Sequence, residues 1–183
     1  MLESGTDPHL QRNCIMLAAI IYRDDFEYVA KHPSNRHMWT QLEKLKSITF
    51  ALWNESSHFG VVAECIKFAQ QVIVTQTPNS SQRDPRLQER QSLSSGRDFS
   101  LSDVPRDHPL ITFSLDAEAQ GLLDRVLSVF SGPTFHSQIV TATIFSLSAI
   151  MKVRPFLVNK IMPIVLQFEV CNKDPDARSS KEA

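Results

Sequence analysis

The apolar residues of this chain recur at steps of three and four, which is the spacing of residues on one face of an α-helix. The clearest series runs through Val61, Val62, Cys65, Phe68, Ala69, Val72 and Ile73. An earlier series runs through Trp39, Leu42, Leu45, Ile48, Thr49, Leu52 and Trp53. Residues 54–60 between them supply Asn, Ser and Gly, and Ser56 or Ser57 is suited to cap the second helix. The two series therefore predict an antiparallel pair of helices.

A second pair of apolar series follows in the C-terminal half. Its first member runs through Leu115, Ala119, Leu122, Leu123, Val126, Leu127 and Phe130, and its second through Ile139, Val140, Thr143, Leu147, Ile150 and Met151. Ser131-Gly132-Pro133 separates the two series, and Arg154 ends the second because a residue before proline is pushed out of the helical region. Pro155 then opens a further helix that reaches Phe168, in which Pro163 predicts a kink or a short start.

More helix is predicted before the first pair. Leu10, Cys14, Leu17 and Ile21 predict a first helix, with residues 26–31 as a short continuation. Two helix pairs of near-equal length, flanked by more helix, match the repeat of about 40 to 47 residues found in HEAT and armadillo proteins. The sequence shows no strand-like alternation. We therefore expect an all-α, right-handed solenoid of antiparallel helix pairs.

Residues 78–109 interrupt this pattern, since they are rich in Ser, Arg, Asp and Pro. A connection of this length is typical of a functional or a disordered segment. Residues 104–111, at its end, predict an ordered return to the core. The expected organisation is one helical domain over residues 1–169, a long inserted loop at 78–109, and a polar disordered tail at 170–183.

The overall charge and the cysteines restrict the classes of function. The formal net charge is −1, which disfavours direct binding to a nucleic-acid backbone. Cys14, Cys65 and Cys171 lie far apart and are odd in number, so we expect reduced thiols in an intracellular protein, neither a disulfide framework nor a zinc site. No apolar run reaches the roughly 20 residues that span a bilayer, and the first residues lack the pattern of a secretory signal.

The sequence offers few candidates for catalysis. Asp24 and Asp25 are adjacent and are expected to lie in a solvated turn. His108 is expected to orient a turn rather than act as a base, and Cys65 to lie in the core rather than act as a nucleophile. The sequence contains neither a phosphate-binding loop nor a His-Glu-x-x-His motif. We expect no enzyme active site and no cofactor.

An ordered set of short motifs resembles the N-terminal domain of the symplekin family, which includes the fungal counterpart in the cleavage and polyadenylation factor. The motifs are residues 60–76 with Ile66-Lys67-Phe68, then Asp84-Pro85-Arg86, Asp98-Phe99-Ser100-Leu101, Val104-Pro105-Arg106-Asp107-His108-Pro109, residues 118–124, Val140-Thr141-Ala142 and Arg154-Pro155. Ala19-Ile20-Ile21-Tyr22, Phe26 and Trp39 fit upstream. Each motif alone is weak, but their order and spacing from Asn13 to Phe168 are fairly specific.

The resemblance implies a non-catalytic scaffold of nuclear pre-mRNA 3′-end cleavage and polyadenylation. It implies docking of the phosphatase that acts on the repeat tail of RNA polymerase II, and contacts with other subunits of the cleavage and polyadenylation factor. The contact surface in the family includes the helix with the Ile-Lys-Phe motif, and Lys67 is the matching basic position. Lys67 also lies beside the apolar series, where its side chain would simply extend to water.

Other functions stay open at this point. The alternative is a general HEAT-repeat adaptor for transport or signalling, whereas an RNA-binding module is disfavoured by the balanced charge. The resemblance also implies further helices before Met1, and the repeats give way to a charged segment after Phe168. The domain is therefore expected to be incomplete at both ends, with apolar faces that neighbours would cover.

Overall fold

A computed structural model describes residues 7–79, 99–111, 114–132 and 136–168. Within these ranges the regular structure is helical, with no strand. The six α-helices are α1 (Pro8–Lys31), α2 (Arg36–Glu55), α3 (Phe59–Gln76), α4 (Ser114–Leu127), α5 (Ser137–Val153) and α6 (Val158–Leu166). Short 3-10 turns occupy Leu101–Asp103, Ser128–Ser131 and Pro155–Leu157. The predicted all-α class is confirmed. The predicted tail at 170–183 and residues 80–98 of the predicted loop lie outside the described residues.

The beginnings of the helices follow local chemistry in most cases. The Asp7 carboxylate accepts from the backbone N–H of His9 at 3.2 Å, directly before Pro8 in the first turn of α1. The start of α3 differs from the prediction, because neither Ser56 nor Ser57 is its N-cap. His58 holds that position without a side-chain bond, and Ser56 Oγ accepts from the His58 N–H at 3.2 Å. Ser56 therefore shapes the turn before the helix.

α1, α3 and α5 lie side by side and run in the same direction. The Phe59 ring stacks on the His136 ring, with centroids 3.6 Å apart, where α3 and α5 begin. Arg154 Nε donates to Thr77 Oγ1 at 3.1 Å just beyond the ends of both helices. In both contacts the two partners are 77 positions apart in the sequence. The α3–α5 pair is thus parallel and in register. We call α1, α3 and α5 the front layer.

α1 is also parallel to its neighbour α3. Arg12 Nε lies 3.5 Å from Glu64 Oε1 in the N-terminal halves of the two helices. The Tyr22 hydroxyl lies 3.0 Å from the Gln76 side chain further along both. The two contacts advance in the same direction along both helices, which fixes their relative orientation.

The remaining helices, α2, α4 and α6, form a back layer. Lys46 Nζ lies 2.8 Å from Glu118 Oε2, and Arg125 Nη2 donates to Asn54 Oδ1 at 2.8 Å, so α2 and α4 run parallel to each other. Lys160 Nζ lies 2.6 Å from Asp124 Oδ1 and joins α6 to α4. Helices that alternate between two layers are the arrangement expected of stacked antiparallel pairs.

α3 lies at the centre of this arrangement and contacts α1, α2, α4 and α5. Its buried residues therefore occur almost all around the helix, in agreement with its long apolar series. Phe68 packs edge-on against Tyr22 of α1 and at a tilt against Phe50 of α2, which ties both layers to this helix.

α1 is one continuous helix, and residues 26–31 belong to it without a break. The apolar series that predicts it does not face the core: Leu10, Leu17 and Ile21 are exposed. A second set faces the core, namely Ile15, Ala18, Tyr22, Phe26 and Val29. α1 thus carries apolar residues on two sides. Asp24 and Asp25 also lie within α1, so the prediction that they form a turn is wrong.

The end of the long connection packs onto the core, as residues 104–111 predict. Val104, His108 and Ile111 are buried. The Ser100 N–H donates to Asp103 Oδ2 at 3.0 Å and so closes the 3-10 turn that precedes this segment. Further along the chain, Pro163 lies inside α6, whose first turn follows the 3-10 turn opened by Pro155.

Candidate protein-binding surface

The Ile66-Lys67-Phe68 motif lies on α3 in the middle of the front layer. Ile66 and Phe68 are fully buried, whereas 51% of the Lys67 side chain is exposed. Side chains at successive helix positions point about 100° apart, so Lys67 points to the surface although Ile66 and Phe68 on either side of it point into the core. Of these three side chains, only that of Lys67 is open to a partner.

Lys67 lies in a small charged cluster that joins α1 and α3. Its Nζ lies 3.0 Å from Glu64 Oε1, and Arg12 Nε lies 3.5 Å from the same oxygen. The Glu64 side chain is 5% exposed, whereas that of Arg12 is 54% exposed. Two cations therefore share one buried carboxylate, and the surface above it keeps an excess of positive charge. Because both cations reach water, the pairs themselves add little stability.

The sequence predicts Lys67 but neither of its partners. Glu64 precedes Lys67 by three residues, a spacing that places the two on one helix face. The contact between Glu64 and Lys67 could therefore have been predicted from the sequence. Arg12 comes from another helix, and only the parallel packing of α1 on α3 brings it to Glu64. An added Cβ at Gly60, one turn before Glu64, would lie 3.8 Å from Arg12 Cδ, an ordinary van der Waals contact, so the position of Arg12 does not require a glycine there.

A buried polar network lies at the other end of α3. Gln76 is fully buried, and all its polar atoms find partners when its amide oxygen faces the Tyr22 hydroxyl and Lys46 Nζ. The amide nitrogen then donates to Glu118 Oε2 at 3.1 Å and to the Leu115 carbonyl at 3.2 Å, so we assign this orientation. Lys46 is itself buried and lies 2.8 Å from Glu43. The network connects α1, α2, α3 and α4 and therefore holds these four helices together.

Burial changes the acidity of two groups near α3. Burial raises the pKa of the Tyr22 hydroxyl well above its ordinary value, and the nearby carboxylates of Glu118 and Glu43 act in the same direction. Burial likewise raises the pKa of the Cys65 thiol to about 12, although Arg125 acts in the opposite direction. Cys65 donates to the Thr49 carbonyl at 3.5 Å. A protonated, enclosed thiol is a poor nucleophile, so Cys65 has the core role that the sequence predicts.

His108 has a structural role in the segment that returns to the core. Its Nδ1 accepts from the backbone N–H of Ile111 at 2.9 Å and from that of Leu110 at 3.2 Å. Nε2 therefore carries the proton and donates to the Val29 carbonyl at 3.2 Å. The ring orients its own turn and fastens it to α1, as expected.

A cleft of about 540 Å³ beside His108 is lined by Pro33, Phe99 and Asp107, among others.

The described ranges hold neither a candidate metal centre nor a helix that could span a membrane. No group of three or more His, Cys, Asp or Glu residues there is arranged to hold a metal ion. None of the helices in those ranges is long and apolar enough to cross a membrane.

Asp25 lies within α1, and partial burial together with Asp24 raises the pKa of its carboxyl. The adjacent carboxylates repel each other and have no assigned role.

Comparison with known proteins identifies the family. The sequence is 29% identical over 183 residues to pta1 of Schizosaccharomyces pombe, described as an mRNA cleavage and polyadenylation specificity factor complex subunit. The aligned region is all of this chain and 26% of that protein, so the chain spans about a quarter of the length of this relative. The family profile described as Symplekin/PTA1 N-terminal matches residues 7–183. The chain belongs to the symplekin/Pta1 family and corresponds to its N-terminal region.

Proposed function

We propose that this chain is a non-catalytic scaffold of nuclear pre-mRNA 3′-end cleavage and polyadenylation, and that its front layer docks the phosphatase of the RNA polymerase II tail. The family match over residues 7–183 carries the first part of the proposal. The S. pombe relative is a subunit of an mRNA cleavage and polyadenylation complex, which supports a role among the other subunits of that complex in the nucleus.

The surface around Lys67 supports the second part. A docking surface needs side chains that reach the partner from a rigid base. Lys67 and Arg12 are half exposed, while Glu64 beneath them and Phe68 beside them are buried. The positive charge is thus held in place by the core. A partner with a carboxylate at its contact surface would complement it.

The test is a binding titration between the purified chain and the purified polymerase-tail phosphatase. Lys67→Glu places a second carboxylate beside Glu64 and is expected to weaken the complex by roughly tenfold or more. Lys44→Glu is the matched control, because Lys44 is an exposed lysine on α2 of the back layer. It makes the same charge change on the opposite layer and should leave the Kd unchanged.

Each result separates the two parts of the proposal. No binding by the unaltered chain would overturn phosphatase docking but not membership in the processing complex, which co-purification with other subunits from nuclear extract tests. Equal weakening by Lys67→Glu and Lys44→Glu would mean that net charge matters and that the front layer is not the docking surface.

A further inference from the structure

The register of the front layer places an exposed aromatic residue beside Lys67. Contacts between α3 and α5 at both ends pair residues that are 77 positions apart. Lys67 therefore lies level with Ile144, and Phe145 is the next residue of α5. Neighbouring packed helices have axes about 8 to 10 Å apart, so side chains at one level can reach a common partner.

Phe145 points away from the back layer. It shares a stripe with Thr141, Ser148 and Lys152, all of which are exposed. The opposite side of α5 carries Val140, Thr143, Leu147 and Ile150, which are buried. Phe145 is 71% exposed, a large apolar area for a side chain with no covering neighbour in the described structure.

α1 places an apolar residue on the other side of Lys67. Arg12 contacts Glu64, one turn before Lys67, so Met16, one turn after Arg12, lies near the level of Lys67. Met16 is exposed, as is Ile20 one turn later. The middle helix thus presents a cation, and the two helices beside it present apolar side chains.

We infer that Phe145 is a second anchor of the docking surface, and that the partner carries an apolar pocket for this ring beside a carboxylate for Lys67. This inference rests on the proposed docking role of the front layer. Aromatic side chains with a rigid base are frequent anchors of protein interfaces, and a neighbouring charge fixes the orientation of the partner. The excess positive charge of Arg12 and Lys67 over Glu64 selects an acidic partner.

The experiment uses the whole chain and the purified polymerase-tail phosphatase, titrated at about 0.1 M and about 0.5 M salt. Phe145→Ala is expected to raise the Kd roughly tenfold or more at both salt concentrations, because salt does not screen the burial of an apolar ring. The effect of Lys67→Glu is expected to shrink at the higher salt, since the contact of an exposed charge is screened. Phe156→Ala is the control.

Phe156 suits the control because it is an exposed phenylalanine in the 3-10 turn beyond α5, away from the level of Lys67. Its removal should leave the Kd unchanged. The helical circular dichroism and the unfolding midpoint of Phe145→Ala should match those of the unaltered chain, since an exposed ring contributes little to the core.

Four results have distinct meanings. Weakening by Lys67→Glu but not by Phe145→Ala overturns this inference alone. Weakening by Phe145→Ala but not by Lys67→Glu overturns the role of Lys67 and supports the anchor, and absence of binding by the unaltered chain overturns both. A concentration-dependent dimer that Phe145→Ala abolishes, seen by analytical ultracentrifugation, would identify a second copy of the chain as the occupant and overturn the inference.

Discussion

Arg154 donates a hydrogen bond from Nε to the hydroxyl of Thr77, 3.1 Å away, and this pair joins the ends of α3 and α5. The same guanidinium donates from Nη2 to the Val74 carbonyl at 2.6 Å, in the last turn of α3. A cation at the C-terminal end of a helix is favoured by the carbonyls exposed there. Arg154 is fully buried, so the whole side chain belongs to the core between the two helices.

Arg154→Met should lower the free energy of unfolding by about 1 to 3 kcal/mol, because the Val74 carbonyl and the Thr77 hydroxyl lose a buried donor. Arg154→Lys should recover only part of this loss, since one ammonium cannot reproduce the planar fork of the guanidinium. Urea titration followed by circular dichroism measures both effects. Lys152→Met, an exposed change in the last turn of α5, is the control. Equal stability of Arg154→Met and Lys152→Met would refute the role of Arg154.

The polar network around Gln76 should behave as a coupled unit. Gln76→Leu removes partners of the Tyr22 hydroxyl, Lys46 and Glu118 at once, and should cost about 1 to 3 kcal/mol of unfolding free energy. Tyr22→Phe in the same chain should add little further loss, because the hydroxyl has already lost its partner. A double-mutant cycle by urea unfolding measures this coupling. Strict additivity of the two changes would show that the two groups act independently.

Cys65 should resist alkylation as long as the chain is folded. In a variant with Cys14→Ser and Cys171→Ser, iodoacetamide should modify Cys65 at neutral pH only after denaturant is added, because the native thiol is buried and protonated. Mass spectrometry measures the extent. Rapid modification of the native chain would show that the site opens readily.

The raised pKa of Cys65 also predicts a pH dependence of stability. Its ordinary value is 9.0 and its folded value is about 12, so the folded state binds the proton more tightly. The resulting stability is fully present below pH 9.0 and is lost as the pH rises towards about 12. The stability difference between the unaltered chain and Cys65→Ala should therefore shrink across this range. A constant difference in urea titrations at several pH values would contradict it.

The two apolar sides of α1 should differ sharply in their effect on stability. Ile15→Ala should lower the free energy of unfolding by about 2 to 5 kcal/mol, because Ile15 is fully buried and leaves a cavity. Leu17→Ala should change it by less than about 0.5 kcal/mol, because Leu17 is 57% exposed. Thermal unfolding of the two variants gives the comparison. The opposite order would show that α1 is rotated relative to this description.

α1 shows that a local apolar pattern predicts a helix but does not predict which side of the helix is buried. Leu10, Cys14, Leu17 and Ile21 have helical spacing, and so do Ile15, Ala18, Tyr22 and Phe26. Both series predict a helix, but neither states which side meets α3. The start of α3 is similar: Ser56 and Ser57 are both suited to cap a helix, but α3 begins after His58, where Phe59 stacks on His136 of another helix pair.

The candidate surface divides in the same way. The sequence alone singles out Lys67, through the spacing of the buried residues around it and through its resemblance to the symplekin family. Its assignment as a partner contact stays a prediction. Arg12 and Phe145 come from α1 and α5, and no local pattern links them to Lys67. Their places depend on the register of parallel helices, which long-range contacts determine.

The sequence by itself determined that this chain is all-helical and arranged in antiparallel pairs, because helical periodicity and helix ends are local properties of neighbouring residues. Only the tertiary structure decided which side of α1 is buried, how Gln76 joins four helices, and which side chains flank Lys67. Those features depend on contacts between residues that are 30 to 77 positions apart, such as Gln76 with Lys46, Arg12 with Glu64, and Thr77 with Arg154. Such contacts arise only when the helices pack and bury their apolar faces together.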